Sequence, residues 1–193
     1  MKKIALSLAL LCFIVTSCKD DKKKEDSEDT VEVEVVEEVK KDEIKKIQMT
    51  LESKSGSTAG GTVEFIEDSG VVKMIATLTG LTPGTHAIHI HEKSDCSAED
   101  GTSTGGHWNP TFAPHGKWGD QAGFHKGDIG NVEADEEGNA SITMKTDEWC
   151  IGCGDEKKDI VGKAIIVHQG TDDFTTQPTG AAGARVSCGG IIE

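Results

Sequence analysis

From about residue 44 to the end of the chain, polar and apolar residues alternate in short runs separated by glycine-rich turns. "IKKIQMTLES", "GTVEFIED", "VVKMIATLTG", "THAIHIHE", "GDIGNVEAD", "ASITMKT", "IVGKAIIVH" and "GARVSCGGII" each fit a period of two. That period places successive side chains on opposite faces, so the chain reads as eight β-strands. No helical stripe stands beside them. "DEEGNA", between the fifth and sixth runs, has the chemistry of a hairpin turn. The 23 glycines and the low aromatic content of 4% suit tight turns rather than a helical core. Eight strands in one mid-sized domain predict an all-β fold, an eight-stranded antiparallel sandwich or barrel with Greek-key connections. No internal repeat is present.

The first 43 residues have a different texture. Lys2 and Lys3 precede an apolar run from Ile4 to Val15, and small residues lead into Cys18. Such a run is too short to cross a bilayer and reads as a secretory signal peptide. Its ending, "VTSC", resembles a bacterial lipobox, which implies that residues 1–17 are removed and Cys18 becomes the lipidated first residue. A plain signal peptide cut nearby is the other reading. Residues 18–43 are then a charged tether. "VEVEVVEEV" within it alternates like a strand but has no neighbouring run to pair with. "KDD" after Cys18 resembles the surface-export signal of some bacterial lipoproteins. The folded domain is expected over residues 44–193.

Charge narrows the partners. The formal net charge is −14, and losing Lys2 and Lys3 with the leader makes it −16. A chain this acidic, with no basic patch, is not a nucleic-acid binder. Export makes disulfides permissible for Cys96, Cys150, Cys153 and Cys188. Cys150 and Cys153 form a C-x-x-C in "EWCIGCGDEKKD". They read as a local disulfide, with a redox or accessory-metal pair and reduced inert thiols as alternatives.

Histidines change the picture most. His89 and His91 are two apart on one strand and share a face, whereas His86 faces the other way. A same-face pair on a stiff strand is a good start on a metal site. The long segment 92–126 holds His107, His115 and His125, with Asp128 just beyond it, and His168 closes the seventh strand. A loop of that length is functional or disordered, and this content argues for function. His89, His91, His107 and His168 offer an all-imidazole set that suits copper. His115, His125 and Asp128 offer three zinc ligands and need a fourth. The count closes only if one histidine is shared, and His107 has two ring nitrogens with which to serve both metals.

"HAIHIHEKSDCS", "GGHWNP", "HGKWGD", "HKGDIGNV", "IVGKAIIVH", "DDF" and "PTGAAGARVSCGGII", in that order, resemble a bacterial copper/zinc superoxide dismutase over roughly residues 44–193. The resemblance implies copper on His89, His91, His107 and His168, and zinc on His107, His115, His125 and Asp128, with His107 as the bridge. It implies a disulfide between Cys96 and Cys188, an active-site arginine in Arg185 and a structural place for His86. Asp172 matches the carboxylate that links copper-side and zinc-side histidines, with Asp173 as its neighbouring competitor. Superoxide is the implied substrate, dismuted to dioxygen and hydrogen peroxide, and a homodimer is allowed. The membrane enters only through Cys18, at the envelope of a bacterium. A metal carrier with little turnover is the alternative, and an adhesion-type sandwich with incidental histidines is a third. Lys93, Lys117 and Lys126, in or beside the metal-bearing loop, are steering charges or simply its solvation, and solvation is preferred. Trp108, Trp118 and Trp149 are expected to pack loops.

Overall fold

A computed structural model describes residues 43–193. The leader, Cys18 and all but the last residue of the tether lie outside the described residues. Eight strands form: β1 (Lys45–Ser53), β2 (Gly60–Asp68), β3 (Val71–Thr79), β4 (Gly84–His91), β5 (Gly130–Ala134), β6 (Ala140–Thr146), β7 (Ala164–His168) and β8 (Arg185–Gly190). All eight expected runs are strands, and β5, β7 and β8 are clearly shorter than expected. β5 begins at Gly130 because Gly127 is tied into the loop, its amide to the Trp108 carbonyl and its carbonyl to the Ile90 amide. β7 begins at Ala164 because Ile160–Lys163 make a turn closed by Lys163 N–H to the Ile160 carbonyl.

The strands hydrogen-bond in the order β5-β4-β7-β8-β1-β2-β3-β6, every pair antiparallel. The non-sequential neighbours β3–β6, β4–β7 and β1–β8 require long crossovers, which is the Greek-key pattern. The two edge strands, β5 and β6, are consecutive and joined by one tight turn, so the sheet curls into a nearly closed barrel. Asp135 fixes that turn by accepting the amides of Glu137 and Asn139. Gly138 sits there at φ +79°, where a side chain would also press on the Leu81 carbonyl.

Alternation builds the core. β1 turns Ile47, Met49 and Leu51 inward, β2 Val63 and Phe65, and β3 Val72, Met74, Ala76 and Leu78. Register stacks them: Phe65 lies between Ile47 and Met74, and Val63 between Met49 and Ala76. β4 and β7 differ, because both their faces are buried. Ile88, Ile90, Ile165 and Val167 join the barrel core. Their opposite faces hold His89, His91, Ile166 and His168, and long loops cover these. That second buried face is where the chemistry collects.

Candidate metal centre

Pairing of β4 with β7 sets His89 opposite Ile166 and His91 opposite Ala164, and brings His168 beside them at the end of its strand. The loop returns along β4, where His91 and His107 form an isolated bridge, with Trp108 N–H on the Ile90 carbonyl at 2.8 Å. Donor atoms of His89, His91, His107 and His168 thereby come within 4.8 Å of one another, as do those of His107, His115, His125 and Asp128. His107 belongs to both groups. All seven residues are buried.

The ring nitrogens sort into two classes. Some are occupied by the protein: His91 Nδ1–H donates to the Gly105 carbonyl at 3.0 Å, and His168 Nδ1–H to the Gly183 carbonyl at 3.3 Å. His89 Nε2–H donates to one Asp172 oxygen at 2.9 Å, and His115 Nε2–H to the other at 2.8 Å. His89 Nδ1 and His107 Nε2 are buried with no hydrogen-bond partner, and His115 Nδ1 and His125 Nδ1 face only Asp128, at 3.0 and 3.2 Å, without hydrogen-bond geometry. Buried polar atoms are normally satisfied, so two bare nitrogens and two more that converge with Asp128 call for an external partner. His91 Nε2 and His168 Nε2 face each other at 3.4 Å, two lone pairs with a common target.

Electrostatics prepare the centre for cations. Burial, reinforced by neighbouring histidines, lowers His91, takes His107 down to about 4 and takes His168 down to about 3. These rings are neutral at pH 7, the state in which a nitrogen lone pair binds a metal. Burial works against ionised Asp128 and Asp172, but hydrogen bonds from the histidines outweigh it and hold both far below the usual carboxylate range. Burial likewise opposes a charge on His115, yet its contacts with Asp128 and Asp172 raise it to about 9. Two buried carboxylates facing the same cluster of rings make the centre attractive to a cation.

Comparisons with known proteins agree with this geometry. A family model described as copper/zinc superoxide dismutase matches residues 59–191. The chain belongs to the copper/zinc superoxide dismutase family. Superoxide dismutase [Cu-Zn] 2 of Mesembryanthemum crystallinum is 38% identical over 136 residues, 67% of this chain and 84% of that protein. Extracellular superoxide dismutase [Cu-Zn] of Caenorhabditis elegans is 34% identical over 137 residues, 68% of this chain and 60% of that longer protein. Among solved structures, a SOD-like protein from Bacillus subtilis superposes with a TM-score of 0.67 at 30% identity, covering 75% of this chain and 97% of that one.

Membership in this oxidoreductase family implies copper and zinc as cofactors, and the orphaned nitrogens show that the residues present fit them. A four-imidazole group suits copper, and three imidazoles with a carboxylate suit zinc.

Beside the centre, Arg185 is half-buried in a cage of acceptors. Its Nη1 donates to the Gly101 carbonyl and Thr104 Oγ1, and its Nη2 to the Gly105 carbonyl, each at 2.8 Å. Cys96 and Cys188 are disulfide-bonded, tying this loop to β8. His86 lies apart from both groups, with Nδ1 on the His168 carbonyl at 2.9 Å and Nε2 on the Thr82 carbonyl at 2.8 Å. Of the two neighbouring acids, Asp172 is the one between the histidines, while exposed Asp173 caps its own loop through Thr176. Lys126 pairs with Glu148, which removes it as a free steering charge, whereas Lys93 and Lys117 are exposed. Trp149 and Trp108 sit in the core, and Trp118 packs edge-on against Trp149.

Several supporting residues gave no signal in the sequence. Asn131 clamps Asp172 through both main-chain groups, and Gln177 does the same for His115. Thr104 completes the arginine cage. A Cβ at Gly180, at φ +66°, would collide with the Asp172 carboxylate and His115 Nε2, so only glycine lets that loop close over the centre. An isolated Asn, Gln or Thr has no spacing rule, and only folding reveals its partner.

Proposed function

We propose that this protein dismutes superoxide, taking two superoxide anions and two protons to dioxygen and hydrogen peroxide. His89, His91, His107 and His168 would hold copper; His107, His115, His125 and Asp128 would hold zinc. When bound, copper supplies a one-electron redox couple and zinc a fixed positive charge. The observation that carries this reading is His107: a member of both groups, with Nδ1 on Asp128 at 2.9 Å and Nε2 orphaned.

The remaining roles belong to the chain. Arg185 is always charged, and the three acceptors around it leave its guanidinium positioned to bind an oxyanion beside the first histidine group. His107 Nε2 is the atom at which a proton is held and passed to the departing product. Asp172 fixes the tautomers of His89 and His115, so that each presents Nδ1 inward. A net charge of −14 repels an anion at long range, but screening over about 8 Å leaves the local field in control.

Dismutation by the purified protein loaded with copper and zinc tests this, beside His107→Ala and Arg185→Ala. Turnover lost in the first and weakened in the second supports the assignment. Stoichiometric metal binding without turnover would instead make it a metal carrier. Residues 44–193 then form the catalytic domain, held at a bacterial cell envelope by lipid on Cys18. Export agrees with the extracellular relatives and with the disulfides. Mass spectrometry of the mature N-terminus decides it: an unmodified terminus other than Cys18 would rule the anchor out.

A further inference from the structure

A second cluster of metal-type donors lies away from the histidines. The sulfurs of Cys150 and Cys153 and a carboxylate oxygen of Asp159 lie within 4.8 Å of one another. No step of the proposed reaction uses them. The two cysteines are joined as a disulfide across a separation of three residues. The loop that holds them is braced by other means. Cys150 N–H donates to the Lys158 carbonyl and its carbonyl accepts from Ile160 N–H. Asp159 accepts the amides of Gly152, Gly154 and Val161 at 3.0, 2.8 and 3.0 Å. Glu67 accepts Ile151 N–H at 2.8 Å, and Lys45 donates to the Ile151 carbonyl. Opening the S–S bond therefore leaves two thiols near each other and near the same carboxylate. Such pre-organisation is what a metal site requires.

Access and chemistry point the same way. Cys153 is exposed while Cys150 is buried, so an external thiol meets Cys153 first. The Asp155 amide points at Cys153 Sγ at 3.5 Å, so one donor already faces that sulfur.

We infer that this loop, once reduced, is a binding site for one copper(I) ion, held by the thiolates of Cys150 and Cys153 with Asp159 alongside. Opening requires an external dithiol. One of its thiolates attacks Cys153 Sγ, the S–S bond breaks and Cys150 leaves as thiolate. The second thiol then resolves the mixed disulfide. The dithiol is oxidised to its own disulfide, and the chain gains two electrons and two protons. Capture of copper(I) releases the thiol protons to solvent. Soft thiolates suit both copper(I) and zinc, and the number of ligands available favours copper(I). Zinc in a closed site takes four ligands, and Asp159 already spends three acceptor positions on amides.

The test uses the full chain with its histidine centre already loaded with copper and zinc. It is reduced anaerobically with dithiothreitol, freed of reductant and titrated with copper(I) against bicinchoninate. Unreduced protein, Cys150→Ser/Cys153→Ser protein and reduced protein alkylated before titration run in parallel. Peptide mass spectrometry reads which cysteines opened. The expected result is one extra copper(I) per chain in reduced protein alone, with sulfur neighbours in the copper absorption edge. The same extra copper in the alkylated sample would overturn the site, as would none in any sample. So would a Cys150–Cys153 bond that stays closed while Cys96–Cys188 opens. Alkylated wild-type protein keeps the comparison valid if the double variant folds poorly, and dismutation on the same samples reports the histidine centre separately.

Discussion

Asp172 joins the two histidine groups, one oxygen on His89 Nε2 and the other on His115 Nε2. An amide there accepts from only one imidazole and turns its NH2 toward the other. Asp172→Asn should therefore weaken zinc binding by roughly 10–100-fold, the usual cost of losing the partner that orients a ligand. Competition with a chromogenic chelator measures it, and unchanged affinity would show that Asn131 and the loop suffice. Thr104 tests positioning at Arg185. Thr104→Val removes one of three acceptors at nearly constant volume, a loss of about 1 kcal/mol, so turnover should fall roughly 5-fold with metal content unchanged. A parallel fall in metal content would make Thr104 structural instead.

Strands show how far pattern reaches. β1, β2 and β3 alternate cleanly because one face meets the core and the other is largely open, and sequence locates them almost to the residue. "THAIHIH" alternates too, but its polar face is as buried as its apolar one. Pattern identifies the strand and misjudges its environment, because burial beneath a loop 38 residues long leaves no local trace. The disulfide between Cys96 and Cys188, 92 residues apart, pins that loop to β8. Chain-entropy reasoning gives it about 4–5 kcal/mol. Cys188→Ser should lower the stability of the metal-free protein by that order in urea unfolding, and a loss under about 1 kcal/mol would contradict the estimate. Among core positions, Phe65, fully buried against Trp149, should lose about 3–5 kcal/mol as Phe65→Ala.

At the scale of the molecule, metals and protons are linked to folding. If the two histidine groups hold metals as proposed, bound metal satisfies the buried nitrogens that the protein leaves bare, so chelation should lower the melting temperature. A metal at a thousand times its dissociation constant adds about 4 kcal/mol, or roughly 8–16 °C for a chain of this size. Calorimetry before and after chelation checks it. The metal-free protein should also show a stability maximum near pH 6.5. Folded His107 and His168 titrate near 4 and 3, below the 6.5 of an unfolded histidine. The unfolded chain thus takes up protons below pH 6.5 that the folded one refuses, and stability falls on acidification. Asp128 and Asp172, also depressed, extend the fall into the carboxylate range. His115 has the opposite sign: its folded value near 9 gives stability that is complete below 6.5 and lost as pH rises through 9. A flat melting profile between pH 4 and 9 would contradict all three assignments.

Periodicity alone determined the eight strands, the antiparallel class and the hairpin between β5 and β6, because these depend on residues adjacent in sequence. The ordered histidine motifs added the ligand types and, through the family they resemble, the metals. Tertiary structure decided what depends on distance: which imidazole nitrogens are occupied and which orphaned, that Asp172 rather than Asp173 joins the rings, and how Arg185 is caged. It also took Lys126 out of the field by pairing it with Glu148. These outcomes follow from burial and from partners far apart along the chain, and no local window of sequence encodes either.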